Sequence, residues 1–174
     1  MTEPKDAFRK FALDLYGIDE VGPASLLLQD RCGADVNVLL LAAFVGAVRG
    51  SSLSASEFQA ARDHTRQWQH EVVCPLRALR QRLKDGPPPA PNPATAELRD
   101  RVKALELDAE MIEIDELGGL AATLTGTAAP GDAEQRAMAA MMVVAHESAG
   151  REPDHDERAA VAVIASAAAR FGKE

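Results

Sequence analysis

Four polar side chains cluster just ahead of the most apolar stretch of the chain: Gln29, Asp30, Asp35 and Asn37. Carboxylates at the edge of a core need partners. Oxygen donors of this kind suit a small polar ligand or a hard cation such as Mg²⁺ or Ca²⁺. The spacing D-x₄-D-x-N is not the alternate-position pattern of an EF-hand loop. A structural role fits the same residues, with Asp35 as a helix N-cap and Asp30 and Asn37 satisfying backbone groups at the turn. A ligand site predicts converging carboxylates in a pocket, whereas Asp35 as a cap with Asp30 in open solvent would argue against it. His64 could join such a site. With Trp68 and Glu71 on neighbouring turns it makes either an acid/base pair beside an aromatic wall or an exposed histidine next to a core tryptophan. A second group is basic: Arg77, Arg80, Arg82 and Lys84 could bind phosphate or an acidic partner. They carry no interleaved aromatics and no helix-turn-helix signal, which argues against nucleic acid.

The elements that must hold these groups read as helices throughout, with no sustained alternation of apolar and polar residues. A first helix over Asp6 to Tyr16 carries Phe8, Phe11, Ala12 and Leu15 on one face and stops at Gly17. A second runs from Val21 to Asp30, entered through Pro23 and stopped by Gly33. The third, from Asp35 to Arg49-Gly50, has no polar face, so it is expected at the centre with the others around it. The fourth starts at a Ser54/Glu57 capping box with Leu53 and Phe58 as a hydrophobic staple. It carries Phe58, Ala61, Thr65, Trp68, Val72, Leu76, Leu79 and Leu83 along one line, and Pro75 should kink it. Residues 86–93, Gly-Pro-Pro-Pro-Ala-Pro-Asn-Pro, form a linker expected to be extended and stiff. Leu98, Val102, Leu105, Ala109 and Ile112 mark a fifth helix, weakened or ended by Gly118-Gly119. Asp132/Gln135 and Asp154/Glu157 cap a sixth and a seventh, both rich in small side chains and expected to pack as a tight hairpin.

Composition agrees. The chain has 174 residues, of which 33 are alanine and only 4% aromatic. Its net charge of −8 argues against an indiscriminate nucleic-acid or anionic-membrane binder. The charge is uneven: residues 62–84 hold six basic and two acidic side chains, residues 97–116 three basic and eight acidic. Two helices packed with complementary faces would account for this; a basic strip for an acidic partner is the alternative. The most apolar run, Val38 to Val48, is too short to span a bilayer, and residues 1–6 lack the pattern of a signal peptide. Cys32 and Cys74 have no metal-type spacing and read as reduced thiols. His146-Glu147 would need a histidine at Gly150 to make the helical zinc motif, and Asp154-His155-Asp156 is explained by capping. Met138, Met141 and Met142 read as core filler. No phosphate-binding glycine loop or nucleophile elbow is present.

One resemblance stands out. Phe11-Ala12-Leu13-x-Leu15-Tyr16, then Leu26-x-Leu28-Gln29-Asp30-x-x-Gly33-x-Asp35-Val36-Asn37-x-Leu39-Leu40, and then Trp68-x-x-Glu71-Val72-Val73-x-Pro75-Leu76-Arg77-x-Leu79-Arg80-x-x-Leu83-Lys84 resemble a family of small bacterial proteins of unknown function. The resemblance covers roughly the first half of the chain and extends toward the acidic helix. It implies a compact helical cytoplasmic protein and marks Gln29, Asp30, Asp35, Asn37, Trp68, Pro75, Arg77 and Arg80 as signature residues. It transfers no catalytic role. The chain departs from the pattern at Ala43-Phe44, where bulkier aromatics are expected, and the end from about Thr125 lies outside it.

The expectation is an all-α, compact multi-helix bundle of about seven helices around a buried third helix. It forms a single helical domain over residues 1–174, with 130–174 an alanine-rich hairpin packed on it or appended to it. The functional expectation is a non-enzymatic interaction or regulatory protein, a homo-oligomer or the partner of another protein, docking through Arg77, Arg80 and Lys84. The alternative is a ligand- or metal-binding protein or enzyme using Gln29, Asp30, Asp35, Asn37 and His64. No resident metal or cofactor and no membrane association are expected.

Overall fold

The computed structural model describes residues 4–52, 54–124 and 126–172. It is an all-helical bundle with one vestigial ladder, Ser51–Ser52 against Thr127–Ala128. The helices are α1 (Pro4–Tyr16), α2 (Val21–Cys32), α3 (Val36–Ala47), α4 (Ala55–Trp68), α5 (Cys74–Asp85), α6 (Pro93–Thr123), α7 (Ala133–Ala149) and α8 (His155–Ala169). A π-turn, Gln69–Val73, joins α4 to α5 without a break in the helical backbone, so the described residues form seven continuous helical segments.

The core forms around α3, whose residues from Asn37 to Ala47 are all buried. No other position could hide a helix that is apolar on every side. α6, α7, α1 and α8 surround it. Phe44 meets the rings of Phe8 and Phe11 at 5.5 and 5.3 Å, and Phe11 in turn meets Phe171. Ala43 is completely buried where the resemblance led us to expect a larger ring.

α7 lies closest to α3. Contact between their backbones is set by Gly46: a Cβ there would fall 2.6 Å from the Ala137 amide nitrogen and the Arg136 carbonyl. Arg136 Nε donates to Gly46 O at 3.1 Å, tying the start of α7 to the end of α3. α8 packs on α2. There Arg31 donates to Asp154 and Asp156, and Arg151 donates twice to Glu157, at 2.7 and 2.8 Å. Glu157 also closes the α8 capping box, and its carboxyl is held down at about 2, chiefly by the Arg151 hydrogen bonds.

Several sequence expectations change. Gly118-Gly119 does not end α6, which runs on to Thr123. Leu117 and Ala121 carry it into the core, and the Arg49 guanidinium donates to the carbonyls of Ala121 and Leu124 at its end. Pro75 is accommodated one turn upstream. The Cys74 amide reaches back to Gln69 O, and the widened turn leaves room where the proline ring would crowd Glu71. The 86–93 linker is not an extended spacer, because Ala90 N bonds Pro87 O at 2.9 Å and the chain doubles back so that α6 packs along α5. Trp68 is not core: it is 36% exposed, with Nε1 donating to Ala109 O at 3.0 Å. Leu98, Leu105 and Ile112 face outward, and the buried line of α6 is Val102, Glu106, Ala109, Glu113 and Leu117. Leu53, the other half of the expected staple, lies outside the described residues, while the Ser54/Glu57 box forms as expected.

Candidate functional site

α1, α2, the start of α3, α5 and α6 enclose a groove of about 730 Å³. Gly33 places its first wall. At φ 64° it ends α2 in the left-handed conformation, and three residues later the chain re-enters as α3 with Asp35 at the N-cap. Asp35 Oδ1 accepts from the amides of Asn37 (2.9 Å) and Val38 (3.4 Å). That cap turns the Asn37 side chain inward, where Nδ2 donates to Glu113 Oε2 at 2.9 Å.

Glu113 is 1% exposed. Burial, reinforced by the neighbouring Asp35, pushes its carboxyl up to about 9, so Glu113 keeps its proton at neutral pH. Asn37 favours the ionised form, more weakly. Among the described residues, Glu113 Oε1 and the 2%-exposed Thr65 Oγ1 are buried without a partner of hydrogen-bond geometry.

The other wall is a guanidinium–carboxylate network. Arg77 donates to Glu106 (3.0 Å), to Glu110 (2.7 Å) and to Gln29 Oε1 (2.9 Å), bridging α5, α6 and α2. Arg80 also donates to Glu106 through Nε and Nη2. Burial alone would raise Glu106, but two guanidiniums outweigh it and its carboxyl lies below the usual range. Glu110 has one guanidinium, and burial wins, leaving its carboxyl above that range. The complementary basic and acidic stretches therefore do meet side by side. Replacing Arg77 with methionine should cost about 2–4 kcal/mol, since it leaves half-buried carboxylates short of a partner. The deficit should shrink as pH falls toward 5, because the Glu110 carboxyl already lies above the usual range and takes up a proton more readily once its guanidinium is gone. Urea midpoints at pH 7 and pH 5 check this, and equal midpoints for variant and parent at pH 7 would show that the network is not structural.

Between these two polar walls the lining is apolar: Ala12, Leu13, Tyr16, Leu26, Leu40, Met111 and Ile114. Leu13, Tyr16 and Leu26 remain 43–48% exposed at the rim. The groove thus unites two sets that the sequence kept apart, Gln29, Asp35 and Asn37 with Arg77 and Arg80. Asp30 is exposed and lines the same groove as Asp35. His64 lies elsewhere, exposed and 3.2 Å from Glu116. Lys84 is exposed near the end of α5 and outside the lining.

Sequence reasoning missed Glu106, Glu110 and Glu113. A signal existed: Glu106 and Glu113 fall on the same helical line as Val102, Ala109 and Leu117, and carboxylates on a buried stripe need a reason. Among the described residues, no group of three His, Cys, Asp or Glu gathers in a way that could hold a metal, and no helix is long and apolar enough to cross a membrane.

Fold and groove together define an all-helical bundle with an amphipathic cleft backed by the buried Glu113 carboxyl. Its family model, described as Protein of unknown function (DUF2390), matches residues 7–117, and the chain belongs to that family. The matched span takes in α1 to α5 and most of α6, hence every polar residue of the groove. Neither the curated proteins nor the solved structures gave a significant match.

Proposed function

We propose that this is a non-enzymatic binding protein whose groove takes a small amphipathic amine. The observation that carries the reading is Asp35 beside Asn37, itself bonded to the buried Glu113, in the lining of an apolar-walled groove. Two features favour a cation. The charged lining residues are Asp30, Asp35, Asp100, Glu106, Glu110, Arg77, Arg80 and Lys103, five acidic and three basic, a net of −2. Arg77 and Arg80 are already engaged by Glu106 and Glu110, so they offer little to an anion. An ammonium group beside Asp35 would gain a charge-assisted hydrogen bond, while an alkyl body would cover Leu13, Tyr16 and Leu26.

The test is calorimetric titration with n-octylamine, n-octanol and n-octanoate. The amine should bind at least about tenfold more tightly than the carboxylate, a difference of about 1.4 kcal/mol. Asp35→Asn should bring the amine down to the level of the alcohol. Amine binding should also release protons, because a cation beside Asp35 lowers Glu113, so the binding heat will depend on the buffer's ionisation enthalpy. Octanoate binding as tightly as octylamine, or an Asp35→Asn protein that still prefers the amine, would overturn the reading.

A further inference from the structure

The side of α6 turned away from the groove's polar wall is unexpectedly apolar. Leu98, Leu105 and Ile112 recur every seven residues and are 45%, 55% and 49% exposed. Seven residues is close to two helical turns, so the three form one stripe along the helix. Its floor is well formed. Val102 and Ala109 lie between the stripe residues and are each only 5% exposed, and the indole of Trp68, bonded to Ala109 O, flanks them. Two charged residues border the stripe on its open side, Arg101 and Asp108, both exposed. Among the described residues neither enters an ion pair.

The order of these five residues is Leu, Arg, Leu, Asp, Ile, and it reads as its own complement under a twofold axis. Put the axis at Leu105 and lay a second α6 antiparallel on the first. Leu105 then meets Leu105, and Leu98 meets Ile112 of the second copy. Arg101 lies four residues before the axis and Asp108 three after it, so at 1.5 Å rise per residue the opposed charges stand within ~1.5 Å of the same height along the helix. A parallel pairing would instead place the two copies of each charged residue on opposite flanks of the seam, so Arg101 would not meet Asp108. We infer that α6 is the interface of an antiparallel twofold homodimer, centred on Leu105 and held in register by reciprocal Arg101–Asp108 pairs. The stripe residues do not line the groove, so the dimer would leave each copy's groove open. The inference does not depend on what the groove binds.

Sedimentation equilibrium over the micromolar range tests it. The parent protein should be a dimer, and Leu105→Glu should weaken the dimer at least about tenfold. The substitution is at an exposed site with a good helix former, so the thermal melt by circular dichroism should stay that of a folded chain. Arg101→Asp and Asp108→Arg should each weaken association, and the double reversal should restore it. Cysteine cross-linking fixes the direction. In a Cys74→Ser background, Leu105→Cys should link to itself, whereas two copies of Leu98→Cys stand about 21 Å apart and should not. A monomeric parent, a dimer indifferent to Leu105→Glu, a double reversal without rescue, or self-linking Leu98→Cys would each overturn the inference.

Discussion

Replacing Gly46 with valine should cost this protein most of its stability. The new Cβ would lie 2.6 Å from the Ala137 nitrogen and the Arg136 carbonyl, which are main-chain atoms of α7. A side chain in the way can change rotamer, but a helix backbone can only retreat. Retreat here opens the α3–α7 contact, strips cover from α3 and stretches the Arg136–Gly46 bond. Overpacking a core typically costs 1–3 kcal/mol and more where relaxation is blocked, so a loss of about 3–5 kcal/mol is expected. Domains of this size commonly hold only about 5–15 kcal/mol in total. Gly119→Ala is the matched control. It sits inside α6 with nothing within 4 Å of its would-be Cβ, so alanine should raise stability by about 0.5–1 kcal/mol. Urea midpoints of the two variants decide the matter, and a Gly46→Val protein as stable as the parent would mean that α3 and α7 do not meet backbone to backbone.

The second large effect is a fall in stability as the solution becomes more alkaline. Glu113 titrates near 4.5 in an unfolded chain and is pushed up to about 9 in the folded one. Between those values the folded protein holds one proton more than the unfolded. Stability is therefore full below about 4.5 and is lost as pH rises through the folded value. The limiting slope is about 1.4 kcal/mol per pH unit, so about 2–3 kcal/mol should disappear between pH 6 and pH 8. Two other shifted groups lie outside this window. Glu157 is held down at about 2 and costs stability only in acid, and burial pushes the Cys32 thiol from 9.0 up to about 11, which acts only above pH 9. Glu113→Gln keeps a neutral, hydrogen-bonding side chain at the same place and removes the titration. Its stability should be nearly flat from pH 6 to 8 and should exceed the parent's at pH 8. Parent and variant curves that run parallel across that range would show that Glu113 is ionised in the folded protein.

What could be read from the residues alone divides by range. Helix positions were legible because they are local: Asp35, Ser54, Asp132 and Asp154 announce N-caps, Gly33 ends α2, and the unbroken apolarity of residues 38–48 places α3 at the centre. Gln29, Asp35, Asn37, Arg77 and Arg80 stood out as residue types. Their meeting did not, because Gln29 and Arg77 are 48 positions apart and come together only when α5 packs on α6 and the Arg77 side chain reaches across to α2. The side of α6 was misread for a similar reason. Leucines at 98 and 105 suggest an inward face, yet α5 covers the opposite line through Arg77 and Arg80, and it is glutamates that turn inward to meet them. Periodicity finds a stripe, but only the neighbours decide whether the stripe is inside. The extension of α6 past Gly118-Gly119 rests on Arg49, 72 residues from the carbonyl it holds.

The uniform apolarity of α3 also has a consequence in time. A ribosome releases this segment before several of the helices that pack on it. α6, α7 and α8, which cover much of it, follow over the next 122 residues, counting from the end of α3 at 47 to the end of α8 at 169. At roughly 5–20 residues per second, that interval is about 6–24 s. Throughout it, a stretch of eleven consecutive apolar residues has too few neighbours to shield it. The growing chain is therefore most open to aggregation, and most in need of a holding chaperone, in the part that the finished protein hides best.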